Sequence, residues 1–185
     1  MSRLTVLDLF IVESIKRGAC TAYDLQRRAG ISLGASSPAL KRLAGSGIVT
    51  RIPVHRTRRR RYEFKVTREG MRQFRRSWRE YLLSENSVDD IDSVLRILDL
   101  AFHNGAPHNA IGEFLDRVID SRRTLAKRLA VAMNGHKAVP QDYRILRERF
   151  DSKRHLFEAN ALAEFRRSLL NETGKQPARP SRPRH

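Results

Sequence analysis

One cysteine, Cys20, stands among 185 residues, so no intrachain disulfide can hold this fold, and a reducing compartment suits it. Its setting, Gly18-Ala19-Cys20-Thr21 just before a helix start, fits a small inert residue better than a reactive thiol. No apolar run approaches the ~18 residues that a membrane helix needs. The opening MSRLTVLDLF has too short an apolar core for a secretory signal, and a soluble, cytoplasmic protein is expected. No glycine-rich phosphate loop, no His-Glu-x-x-His and no Gly-x-Ser-x-Gly occurs, and no base accompanies Cys20. No catalytic residue is therefore assigned, and an enzyme reading has no support. The six histidines form no ligand set: His103 and His108 flank a Gly-Ala-Pro break, and His136 and His155 lack neighbouring Cys or carboxylate ligands. Neither a metal nor a cofactor is expected.

Acidic residues are scarce in one half only. Residues 1–84 carry 19 Lys and Arg against 6 Asp and Glu, whereas residues 85–171 carry 14 against 13. Most of the net charge of +17 thus belongs to the first half, which suggests a polyanion-binding module joined to a neutral one. The charge peaks in RIPVHRTRRRRYEFKV, residues 51–66. Arg51, Arg56, Arg58, Arg59, Arg60 and Arg61 fall there with no acidic residue among them. The run leads directly into Tyr62, Phe64 and Val66 alternating with Arg61, Glu63 and Lys65, the period of a half-buried strand. Arginine forks on a strand pair suit phosphate oxygens and guanine edges.

The periodicity around this segment predicts helix, helix, helix, strand, strand, helix. Leu4, Leu7, Phe10, Ile11 and Ile15 mark an amphipathic first helix that Gly18 stops. Thr21 caps a short second helix that ends at Gly30. A third helix begins between Ser32 and Ser37, with Pro38 tolerated in its first turn, and Gly47 closes it. Strands follow at 48–53 and 60–66, and Thr67 caps a fourth helix with Met71, Phe74, Trp78 and Tyr81 inward. Three helices and a two-stranded hairpin make a winged helix-turn-helix over residues 1–84. After an acidic link at 85–92, three longer helical patterns run to residue 171: one with Ile91, Val94, Leu95, Leu98 and Phe102, one from Ile111 to Leu129, and one opening at Pro140. The fold expected is mainly α with a small β-hairpin, an N-terminal winged helix-turn-helix plus a C-terminal three-helix dimerisation domain at 85–171. Residues 172–185 form a basic tail without a core pattern, expected to be disordered.

Four segments in order resemble the PadR family of transcriptional regulators. They are Gly18-x-x-Thr21-x-Tyr23-x-Leu25, Gly34-Ala35-Ser36-Ser37-Pro38-Ala39-Leu40-Lys41-Arg42-Leu43, Gly47-Ile48-Val49, and Arg61-Tyr62-x-x-x-x-Thr67-x-x-Gly70. The resemblance implies a homodimeric DNA-binding repressor whose C-terminal helices form much of the dimer contact. It departs from the family at Ser37, where a Tyr commonly precedes the proline, and in a wing that is glycine-free and arginine-dense.

The candidate DNA-binding residues follow from placing these patterns on a winged helix. Lys41 and Arg42 are the long donors of the third helix, with Ser36 and Ser37 near its N-terminus, where backbone N–H groups favour phosphate. Arg56 and Arg58 near the wing tip could enter a minor groove, while Arg59, Arg60 and Arg61 meet phosphates. The Tyr23 hydroxyl either reaches a phosphate or simply stays at the surface. Leu95, Leu98, Phe102, Leu146, Phe150 and Phe157 are the candidate dimer residues. The expected partners are double-stranded DNA and a second copy of the chain, with an unidentified small-molecule effector left open. Two rival readings remain: a sequence-tolerant architectural or plasmid-maintenance DNA binder, and a winged-helix module that docks another protein.

Overall fold

The structure, a computed structural model, describes residues 4–54, 61–84, 90–134 and 143–173. In chain order it contains α1 (Val6–Lys16), α2 (Ala22–Ala29), α3 (Leu33–Gly45), β1 (Val49–Val54), β2 (Arg61–Val66), α4 (Arg68–Leu83), α5 (Ile91–His103), α6 (His108–Asn134) and α7 (Tyr143–Thr173). It is a mainly α protein with one two-stranded antiparallel hairpin, as the periodicity predicts. The chain divides into two compact units, one built from α1 to α5 with the hairpin and one from α6 and α7.

In the first unit the helix ends are set by their own side chains. Thr5 and Thr21 each accept from the backbone N–H three residues on, and Asp8 and Asp24 reach back to the cap N–H, closing two capping boxes. Gly30, at φ 65°, ends α2 in the left-handed conformation. Leu9, Ile11, Val12, Leu25, Leu40, Leu43, Ile48 and Phe74 are essentially inaccessible to solvent and form the core around α1.

Two details differ from expectation. Pro38 lies inside α3 rather than in its first turn, because the helix starts at Leu33 behind the Ser32 cap. The N–H it lacks would have bonded the Gly34 carbonyl, and both residues are exposed, so water can serve that carbonyl. The helix at 91–103, expected in the C-terminal domain, instead packs with the first unit. Lys16 donates to Asn104 (3.0 Å), Arg17 pairs with Asp99 (3.4 Å), and the Arg96 guanidinium lies 5.5 Å from the centre of the Phe10 ring. Apolar periodicity marks a buried stripe but not the surface that buries it.

The second unit is an antiparallel helix pair. Ser152 donates to the Ala126 carbonyl, Arg166 pairs with Asp116, and Arg122 pairs with Glu158, so positions rise on one helix as they fall on the other. Ile111, Phe114, Leu115, Val118, Ile119, Ala159, Leu162 and Leu169 fill the seam. Arg122 is buried there, with Nε 3.3 Å from Glu158 and Nη1 3.3 Å from His155. The tail beyond residue 173, expected to be disordered, lies outside the described residues.

Candidate nucleic-acid interface

A three-residue turn, Gly30 to Ser32, joins α2 to α3, the spacing of a helix-turn-helix. Leu25 and Ile31 are buried on one side of the turn, and Ala39, Leu40 and Leu43 lie under α3. What α3 leaves outside is Leu33, Gly34, Ser37, Pro38, Lys41, Arg42 and Gly45. Of the long donors, Lys41 is exposed and Arg42 is half engaged. Its Nη2 lies 2.5 Å from Asp8 Oδ1, and the Asp8 side chain is only 4% exposed. Asp8 is already the capping carboxylate of α1, so Arg42 ties α3 to the start of α1 and sets the tilt at which α3 is presented.

Ser36 is corrected by its position. It is fully buried, beneath the helix rather than on its outer face, and its Oγ finds no hydrogen-bond partner among the described residues. Residues 36, 40 and 43 follow one stripe of a 3.6-residue helix, and the apolar members of that stripe carry Ser36 into the core with them. Ser37, one position on, is exposed. Tyr23 is 63% exposed on the first turn of α2, a position from which its hydroxyl can reach outward.

The hairpin continues from α3 through a joint made at Thr67 and Gly70. Thr67 donates from its N–H to the Ile48 carbonyl (3.0 Å) and from its hydroxyl to the Gly47 carbonyl (2.7 Å), while Gly70 N–H donates to the same hydroxyl (2.9 Å). A Cβ on Gly70 would collide with the Ile48 carbonyl, so only glycine lets α4 start this close to the exit of α3. On the other side, Phe64 N–H donates to the Cys20 carbonyl at 2.7 Å, docking β2 on the turn between α1 and α2. Burial pushes the Cys20 thiol up, with the Glu63 and Asp24 carboxylates adding to it, so the thiolate is disfavoured.

The register pairs Val49 with Val66, Arg51 with Phe64, Pro53 with Tyr62 and Val54 with Arg61. Val49 is buried, but Ile52 and Tyr62 are 40% and 44% exposed, so the hairpin leaves the core as it extends. Arg51, opposite Phe64, holds its guanidinium 5.9 Å from that ring's centre. Arg56, Arg58, Arg59 and Arg60 lie outside the described residues, and Arg61 is described by its backbone in β2 alone. The seat of Arg51 on the Phe64 ring and the Arg42–Asp8 pair are features that sequence reasoning missed. Arg51 sits in the same arginine run and the strand alternation could have found it; an ion pair between residues 34 apart leaves no local trace.

Among the candidate dimer residues, Leu98 is 4% exposed and belongs to the core, whereas Leu95 and Phe102 are 52% and 40% exposed. On α7, Leu146, Phe150 and Phe157 are all more than half exposed, as is Tyr143. They form one stripe, and Ala159, Leu162 and Leu169 form another that faces α6. Among the described residues no cluster of three or more His, Cys, Asp or Glu side chains could hold a metal ion, and no helix is long and apolar enough to cross a membrane.

No protein-family model and no curated protein sequence matches the chain. Solved structures similar to it include Bacillus subtilis PadR in complex with operator DNA, at 15% identity over 89% of this chain and 99% of that one, with a TM-score of 0.36. They also include the PadR-like transcriptional regulator BC1756 from Bacillus cereus, at 16% identity over 93% and 100% of the two chains, with a TM-score of 0.33.

Proposed function

We propose that this chain is a dimeric, sequence-specific DNA-binding transcriptional regulator that acts as a repressor. One observation carries the reading. A helix-turn-helix with Ser37 and Lys41 on its open face is fastened, through Thr67 and Gly70, to a hairpin that leaves the core toward an arginine-dense loop. In such a frame α3 enters the major groove, and the loop arginines Arg56, Arg58, Arg59 and Arg60, with Arg61, meet phosphates or the minor groove. Tyr23 adds a phosphate contact from α2. The dimer forms on the second apolar stripe of α7, with Leu146, Phe150 and Phe157, and on Leu95 and Phe102 of α5. Two-fold symmetry then presents two reading helices to two half-sites.

The open face of α3 is sparse, with Gly34, Pro38 and Gly45 between and beside its two donors, and that sparseness supports a second reading in which DNA is bound with little regard for sequence. Selection of bound sites from a random duplex pool separates them. A regulator enriches a palindrome whose half-sites lie about one helical turn apart. A pool that stays unenriched while binding is tight would establish the sequence-tolerant reading instead.

A further inference from the structure

The exposed side of α4 carries a second arginine row. Arg68, Arg72, Arg75, Arg76 and Arg79 are all exposed, while Phe74, Ser77, Trp78 and Leu82 of the same helix are buried. The exposed positions recur at three- and four-residue steps and so share one stripe. Four of them line an open groove with Glu80, Leu83 and Ser84. Two forks are held in place, Arg72 by Glu69 at 2.5 Å and Arg76 by Glu80 at 2.8 Å. Arg79 spreads over the ring of Trp78, 5.6 Å from its centre. Arg68 and Arg75 have no ion pair among the described residues.

This row is separate from the reading helix. α3 is tied to α1 through Arg42 and Asp8, and α4 packs on α1 through Phe74, under Lys16, and through the Tyr81 hydroxyl on the Leu4 carbonyl. On α4 the buried positions Phe74, Ser77, Trp78 and Leu82 face inward and the arginine row lies on the opposite side of the helix. From Arg68 to Arg79 the row runs about 16 Å at the helical rise of about 1.5 Å per residue, offering a guanidinium at nearly every turn. Arginine forks match phosphate oxygens two at a time. A protein partner would need a desolvated apolar anchor at the centre of the contact, and here the single large apolar side chain lining the groove, Leu83, sits at its end.

We infer that the α4 row is a second, sequence-independent surface for the DNA backbone. A molecule seated on one duplex through α3 and the wing captures a second duplex through α4. The inference rests on the first surface being the DNA-binding one assigned above.

The test uses the full chain on an immobilised duplex carrying the selected site, washed and then offered a fluorescent duplex of random sequence. The parent protein is expected to retain the second duplex. Arg75→Glu with Arg79→Glu should lower retention about tenfold or more, while affinity for the first duplex changes less than about threefold, as removing phosphate-binding forks from one surface alone requires. Arg75→Gln with Arg79→Gln should fall between, and serves if the reversed variant melts earlier than the parent. Retention unchanged in these variants, or a parallel fall in first-duplex affinity, overturns the inference, as does a parent that binds the first duplex and retains no second. Displacement of the second duplex by poly-glutamate more readily than by competing DNA also overturns it, in favour of an acidic protein partner. A parent that binds no first duplex removes the functional reading itself, a distinct outcome.

Discussion

A serine hydroxyl without a partner, buried between α3 and the helices beneath it, is a local cost that the fold carries at Ser36. Replacing it with alanine removes a desolvated polar group and little volume, so Ser36→Ala should raise stability by about 0.5–1 kcal/mol and leave DNA affinity as it was. Urea unfolding and a DNA titration check both halves, and a loss of DNA affinity would mean that the residue does reach outward. Residue type marked Ser36 and Ser37 alike as readers near a helix N-terminus. What separates them is the turn of about 100° between helical neighbours, which puts Ser36 on the face of Leu40 and Leu43, as the helical spacing already indicates, and leaves Ser37 outside. A second residue-scale consequence concerns Glu13, which is 3% exposed. Burial alone would raise its carboxyl, but hydrogen bonds from Lys16, Arg17 and Asn104 outweigh it and bring it below the ordinary 4.5. The stability it contributes is therefore complete above that pH and is lost as pH falls through the lower folded-state value. The unfolding midpoint of the parent should drop on acidification below about pH 4.5 more steeply than that of Glu13→Gln; parallel curves would refute this.

At the scale of elements, α7 has more apolar surface than α6 can cover. A helix that packs on one neighbour needs a single stripe; α7 has one toward α6 and another with Tyr143, Leu146, Phe150 and Phe157 open. Exposed aromatic stripes of this kind mark association sites, which is why the proposed dimer contact is placed there. Phe150→Glu with Phe157→Glu should shift the protein from dimer to monomer in light scattering while its helical circular dichroism persists. DNA affinity should then fall by about tenfold or more, since the two half-sites no longer share one protein. A double variant that still scatters as a dimer would move the interface elsewhere. The elements themselves are mostly readable from the residues. Thr21 and Thr67 start helices because their side chains satisfy free N–H groups, Gly30 and Gly105 sit at positive φ, and the strand alternation at 61–66 matches β2. The allegiance of α5 is not readable. Its stripe of Val94, Ile97, Leu98 and Ala101 would suit any apolar surface, and the polar ties of Lys16, Arg17 and Asn104 that place it join residues more than 80 positions apart.

For the whole molecule, the positive charge is concentrated in the first half of the chain. In the second unit several arginines meet carboxylates of the same helix pair, Arg166 on Asp116, Arg122 on Glu158, and Arg147 and Arg154 on Asp151. In the first 84 residues 19 basic groups face 6 acidic ones, so the basic groups outnumber the carboxylates of that stretch about three to one. Binding of duplex DNA should therefore release many counterions, with the wing contributing heavily, since log K falls with log salt by about 0.9 for each phosphate neutralised. A variant with alanine at Arg58, Arg59, Arg60 and Arg61 should bind more weakly on every duplex. Its slope should be shallower, by about 0.9 for each phosphate that a subunit no longer neutralises. Its order of preference among sequences should stay that of the parent, because phosphate contacts position the protein and carry no base information. Lys41→Ala should do the reverse, reordering the preferred sequences while moving the slope by no more than about 0.9 per subunit. Titrations of both variants between about 50 and 300 mM salt, on the selected site and on random duplex, read all four quantities. If the four-alanine variant keeps the parent's slope, the wing arginines do not meet phosphates in the complex, and the grip on DNA must come from elsewhere in the first unit.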